Sequence, residues 1–155
     1  MHHEDDTHPI YWYAPDGDWG WMCNLSPHHF RLNGIFWQTA EHFYQAHKFT
    51  ATPDLFNRIR LSSDPFVAKA IAKENLPFQD PNWYPSKKAY DVMKTAVRAK
   101  FDQNSEIARM LIATYPRPII ERTDNDDRWG DGPNRTGQNW AGKILMEIRD
   151  ELRQP

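Results

Sequence analysis

A chain of 155 residues suffices for one domain that buries a core without disulfides, and a single cysteine, Cys23, excludes an intramolecular disulfide and a cysteine metal cage. Lysines and arginines number 19 against 21 aspartates and glutamates, a formal charge of −2, which argues against gripping duplex DNA by broad phosphate neutralisation yet leaves room for a nucleotide pocket. No apolar run approaches a membrane span and Met1-His2-His3-Glu4-Asp5-Asp6 is not signal-peptide chemistry, so the expectation is a soluble, cytoplasmic protein with no membrane partner.

In chain order, residues 1–9 are polar and His-rich and predict a flexible N-terminus ahead of one domain over 10–155. Ile10-Tyr11-Trp12-Tyr13 is a short β-prone run closed by Ala14-Pro15-Asp16-Gly17. Phe30 to Trp37 predicts a hairpin, because Asn33-Gly34 separates two apolar runs. Thr39 then predicts the N-cap of a helix through about Phe49. A short helix over 54–61 should turn Leu55, Phe56 and Ile59 inward, and Asp64-Pro65 supplies an N-cap and an N1 proline for a helix over 65–74. Pro77, Pro81 and Pro85 make a loop that carries Asn82-Trp83. Ser86 is the expected cap of a helix to about 102 that buries Tyr90, Met93, Val97 and Phe101; the next, over 105–113, should bury Ile107, Met110 and Leu111. Residues 118–122 predict a strand, 123–139 a polar loop, and the last helix starts near Asn139 with Ala141, Leu145, Ile148 and Leu152 inward. The pattern is that of an α+β, predominantly helical single domain with a few short strands.

Within the helix after Thr39, a rotation of about 100° per residue puts Glu41, Tyr44, Gln45 and Lys48 on one stripe and Phe43, Ala46 and Phe49 on another. Two readings of the polar stripe stand: a solvated face with charge pairing, or a surface that holds a polar ligand and moves a proton. Aromatic residues make up 14% of a chain whose mean hydropathy is −0.83, so rings either staple the core or stack on a flat ligand. Trp83 can serve either purpose, as a base-stacking indole or as a plug over the helices.

The 123–139 loop is the other candidate, since long structureless loops in compact domains are often binding or catalytic segments. It leads into a helix start, Asn139 to Gly142, whose small residues would let a phosphate approach unpaired N–H groups. Its aspartates do not make a calcium loop: counted from Asp127, Trp129 occupies the third ligand position. No histidine pair has ligand spacing, so no metal and no cofactor are expected. Without a Gly-x-Ser-x-Gly elbow, carboxylate chemistry remains: Glu41 and a loop aspartate could act on a glycosidic bond.

Several blocks of the chain resemble one family. Thr39-Ala40-Glu41-His42-Phe43-Tyr44-Gln45-Ala46-His47-Lys48-Phe49 resembles a Thr-x-Glu-His-Tyr-Phe-Gln-Ala-x-Lys-Phe block of the YbiA-like family, also called NADAR for NAD- and ADP-ribose-associated. Cys23-Asn24-Leu25 stands where that family has Ser-Asn-Phe; Asn82-Trp83 is similar to its Trp loop and Arg98-Ala99-Lys100-Phe101 to its Lys-Phe block. Glu121 to Asp126 with Trp129-Gly130-Asp131-Gly132 resembles its acidic Trp-Gly loop, and Gly137 to Gly142 with Leu145 to Arg149 its closing helix. The resemblance implies an α+β fold and an N-glycosidase that releases a nitrogenous base from a ribose. Its implied substrates are ADP-ribosylated guanine of nucleic acid and phosphoribosyl intermediates of riboflavin synthesis. Implied catalytic positions are Glu41, Asp126 and Trp83, with Asn24, Tyr44, Lys48, Trp129, Gly130 and Asn139 in the pocket. Asp126 is preferred to Asp127 because it stands three before Trp129, as in the family. The alternative is a non-catalytic module that binds ADP-ribose or a related nucleotide. Oligomeric state is left open.

Overall fold

The computed structural model describes residues 6–154. In chain order the elements are β1 (Ile10–Trp12), β2 (Phe30–Leu32), β3 (Ile35–Trp37), α1 (Ala40–Ala46), α2 (Pro53–Arg60), α3 (Pro65–Glu74), α4 (Lys88–Asp102), α5 (Ser105–Ala113), β4 (Ile119–Glu121) and α6 (Trp140–Arg153). The fold is α+β with helices predominating. Its residues group into two compact units, one formed by the chain up to Cys23 together with everything from Asn104 on, the other by Asn24–Gln103.

In the 24–103 unit the expected hairpin forms, with Phe30 opposite Trp37 and Leu32 opposite Ile35. Asn33 and Gly34 both take positive φ, 53° and 79°, the left-handed geometry that a two-residue hairpin turn needs. The hairpin leads into α1, where the Thr39 side chain accepts from the His42 N–H at 3.1 Å and so caps the helix. Every residue of α1 is buried, because α2, α3 and α4 all pack against it. Asp64 caps α3 as its sequence predicts, accepting from the Val67 N–H at 3.0 Å, with Pro65 at the first position. Ser86 does not cap α4. Its hydroxyl donates to the Asn82 carbonyl instead, and Lys87, at φ 62°, turns the chain into the helix. Tyr90, Met93, Val97 and Phe101 are buried along α4 as their spacing requires.

In the other unit, β1 and β4 pair in parallel, Ile10 opposite Ile119 and Trp12 opposite Glu121. The helix α6 packs on β4 and on α5, with Ala141, Leu145 and Ile148 inward and Leu152 only half-buried near its end. Met110, expected inside α5, is 39% exposed; Ile107 and Leu111 alone hold that helix's buried stripe. Arg149 ties the elements together, donating to Thr114 Oγ1 at 3.1 Å and to the Arg117 carbonyl at 2.7 Å. Of the N-terminal segment, residues 1–5 lie outside the described residues; His8 offers its carbonyl to Arg117 Nε at 2.8 Å.

Candidate active site

The polar stripe of α1 is not a solvated face. Glu41 and Gln45 are each 6% exposed and Tyr44 4%, while Lys48 follows half-buried in the single 3-10 turn His47–Phe49. Burying a carboxylate costs free energy unless it is hydrogen-bonded, and Glu41 is: Gln45 Nε2 donates to its Oε1 at 2.7 Å, one helical turn away. Asn24 reaches this group through its backbone, its carbonyl accepting from the Glu41 N–H at 3.1 Å and satisfying one of the open donors of the first turn. The Gln45 Oε1 atom is buried without a hydrogen-bond partner. An unsatisfied buried acceptor is costly, so a native one points to a role.

Lys48 Nζ lies 4.9 Å from the centre of the Tyr44 ring. Burial pushes its pKa down to about 8; the Glu41 charge opposes that shift and the Lys69 charge adds to it. The Tyr44 hydroxyl accepts from Trp83 Nε1 at 3.2 Å and meets the Tyr84 hydroxyl at 3.3 Å. Burial, then Tyr84, pushes its pKa up, which keeps it a neutral phenol.

Trp83 has no exposed surface. Its ring centre lies 5.3 Å from that of Tyr44 and its N–H donates to the Tyr44 oxygen, contacts that suit the plug reading of this indole. The proline-rich loop that carries it is tied down at Asp80, whose N–H donates to the Lys48 carbonyl at 2.9 Å and whose carboxylate meets Lys88 Nζ at 2.6 Å.

A cavity of about 300 Å³ opens beside the stripe, lined by Gln45, Lys48 and the α3 residues Lys69, Ala70, Ala72 and Lys73, with Leu76. Sequence reading missed Lys69 and Lys73, although their spacing of four on a helix that buries Ala68 and Ala72 was a signal for one shared face. A larger cavity of about 500 Å³ runs along α4, but charges of both signs line it, including Arg98 and Asp102, paired at 3.0 Å.

The loop of the other unit is pinned from inside. Asp126 Oδ1 accepts from the N–H groups of Arg128 at 2.9 Å and Trp129 at 2.8 Å, which fixes the carboxylate against its own loop. Trp129 is half-buried and meets Trp140 edge-on at 5.3 Å. Asp131, which the sequence did not single out, anchors the loop: Oδ1 accepts from the Thr123 N–H at 3.0 Å, and Arg122 Nε reaches Oδ2 at 2.6 Å. Burial pushes its pKa up, but these donors, with Arg135, bring it below the usual carboxylate value.

The α6 start, Asn139 and Gly130 all have partners within this unit. The α6 start does not offer free donors to a phosphate, since the N–H groups of Asn139, Trp140 and Ala141 donate to the carbonyls of Gly130, Arg128 and Trp129 at 3.0, 3.0 and 3.1 Å. The Asn139 amide bridges β4, accepting from the Glu121 N–H at 3.0 Å and donating to the Ile119 carbonyl at 2.9 Å. A Cβ at Gly130 would collide with the Thr123 methyl and the Glu121 carbonyl, so this glycine serves close packing. Among the described residues no group of three or more His, Cys, Asp or Glu side chains gathers as metal ligands, and no helix is long and apolar enough to cross a membrane.

The NADAR domain model matches residues 10–153. The chain belongs to the NADAR family. It is 37% identical to the N-glycosidase YbiA of Shigella flexneri over 143 residues, 92% of this chain and 88% of that protein. A riboflavin biosynthesis protein of Vibrio vulnificus is 36% identical over 146 residues, 94% of this chain but 39% of that longer protein. The NMR structure of the E. coli protein YbiA superimposes with a TM-score of 0.83 at 33% identity, covering 98% of this chain and 93% of that one. These NADAR relatives match almost the whole chain, so the family's fold and its α1 block come together.

Proposed function

We propose that this NADAR protein is an N-glycoside hydrolase that cleaves the bond between a ribose and a nitrogenous base. The substrate classes are ADP-ribosylated guanine of nucleic acid and phosphoribosyl intermediates of riboflavin synthesis. The observation that carries the reading is the buried Glu41 carboxylate, oriented by Gln45 at 2.7 Å and accompanied by a lysine whose pKa lies near 8. Hydrolysis breaks the C–N bond, whose electron pair leaves with the base; water adds to the anomeric carbon and must lose a proton, while the base gains one. A positioned carboxylate handles such a proton, and we assign that work to Glu41. The names of the relatives, N-glycosidase and riboflavin biosynthesis protein, agree with this class of reaction.

In this reading Lys48 holds the anionic part of the substrate and Trp83 fixes Tyr44 rather than touching the base. Asp126, which the family resemblance implies as catalytic, has its Oδ1 engaged within its own loop. A lone buried Cys23 suits a reducing, cytoplasmic setting.

The test is release of free base, followed by mass spectrometry after separate incubation with riboflavin intermediates and with ADP-ribosylated guanosine DNA. Glu41→Gln keeps the size and the partner Gln45 but removes proton transfer; base release should fall by about 10²–10⁴-fold while the fold is kept. Near-wild-type release from the variant sinks the assignment. Tight ADP-ribose binding without any base release by the intact protein would replace the enzyme with a binding module.

A further inference from the structure

Lys48, Lys69 and Lys73 converge on one small cavity that no carboxylate lines. Lys69 and Lys73 stand one turn apart on α3, and among the described residues neither is ion-paired with an acidic side chain. Three ammonium groups around one volume repel one another, and the Lys69 charge is already felt at Lys48, where it adds to burial in lowering the pKa. A multiply charged anion relieves that repulsion. Gln45 supplies an independent observation. Its amide N–H is committed to Glu41, while its Oε1 is buried with no donor, and the residue lines the same cavity. An acceptor needs an O–H or N–H, which an ionised phosphate lacks and a sugar hydroxyl supplies.

We propose that this cavity is the phosphate subsite of the substrate: Lys48, Lys69 and Lys73 take the phosphate, and Gln45 Oε1 takes a hydroxyl of the ribose that carries it. At about 300 Å³ it lies at the low end of ligand pockets and matches a ribosyl phosphate rather than a whole dinucleotide. Gln45 then touches sugar with one end of its amide and Glu41 with the other. Through that link the recognised sugar is placed next to the carboxylate. Only this last step rests on Glu41 being the proton-handling group; the subsite itself is measured without turnover.

The experiment is calorimetry of the full chain with inorganic phosphate, ribose, ribose 5-phosphate and ADP-ribose, on wild type, Lys69→Gln/Lys73→Gln and Lys69→Arg/Lys73→Arg. Wild type should bind ribose 5-phosphate more tightly than ribose, with affinity falling as salt rises. The Gln pair should lose about tenfold or more in affinity and the Arg pair should keep most of it, at unchanged circular dichroism. Loss of ADP-ribose affinity in step assigns its diphosphate to the same cavity; loss for ribose 5-phosphate alone assigns the cavity to monophosphates. NMR of the lysine side chains adds an independent readout, since Lys69→Gln removes a like charge and should raise the Lys48 pKa. Phosphate binding that is absent in wild type, or equal in the Gln pair, overturns the subsite. If phosphate binds as described but no base is ever released, the hydrolase reading falls and the subsite stands.

Discussion

Lys48 shows how far a side chain's chemistry depends on its surroundings. Exposed, it would keep its proton to about 10.5; here burial, with Lys69 in support, brings the pKa to about 8. The ammonium is present below that value and lost above it. Affinity for an anionic substrate, read as kcat/KM of the free enzyme, should therefore fall as pH rises through about 8, well before an ordinary lysine deprotonates. Lys48→Arg keeps its charge at every accessible pH and should abolish that alkaline limb. A limb that survives in the Arg variant would assign it to another group. Glu41 and Gln45 belong to the same scale: an i,i+4 pair that reads as ordinary surface polarity becomes, when buried, an oriented carboxylate.

Among elements, α1 and α6 show packing choosing between readings of one sequence. Of the two readings of the α1 stripe the solvated face fails, because the helix is wholly buried against α2, α3 and α4. The start of α6 has the composition of an anion site, yet loop carbonyls close it. Gly142 decides between these readings of α6. A Cβ there would collide with the Ile119 carbonyl and with the Asn139 amide that bridges β4. Gly142→Ala should destabilise the protein by about 1–3 kcal/mol in urea unfolding, with β4 pushed off the helix. Normal stability combined with lost phosphate affinity would restore the phosphate reading of the α6 start.

For the whole molecule, buried His42 and half-buried His47 make stability depend on pH. His42 is fully buried; its Nε2 faces the Ser62 carbonyl at 3.2 Å and so carries the proton, and its Nδ1 accepts from Thr39 Oγ1 at 2.8 Å. His47 donates from Nδ1 to the Phe43 carbonyl at 2.7 Å and stacks on the Phe43 ring at 3.9 Å. Burial lowers both pKa values below 6.5, so on acidification the unfolded chain takes up protons before the folded one does. The stability these neutral rings contribute is complete above about 6.5 and is lost as pH falls below it. Urea unfolding should show a lower midpoint at pH 5.5 than at pH 7.5, and His42→Gln should narrow the gap. Equal midpoints in wild type would contradict the burial argument.

Where local chemistry dominates, the chain alone determined the outcome. The Asn33-Gly34 hairpin, the Thr39 and Asp64 caps and the buried face of α4 all follow from residues a few positions apart, and the ordered family blocks carry membership along residues 10–153. Tertiary structure decided what each polar group faces. Only packing could show that Trp83 is wholly buried, that Asn139 and Gly142 meet β4, and that Lys69 and Lys73 join Lys48 around one cavity. Periodicity assigns a residue to a face of its own helix. Whether that face meets water, a neighbouring helix or a cavity is set by other helices, from contacts between residues far apart in the chain.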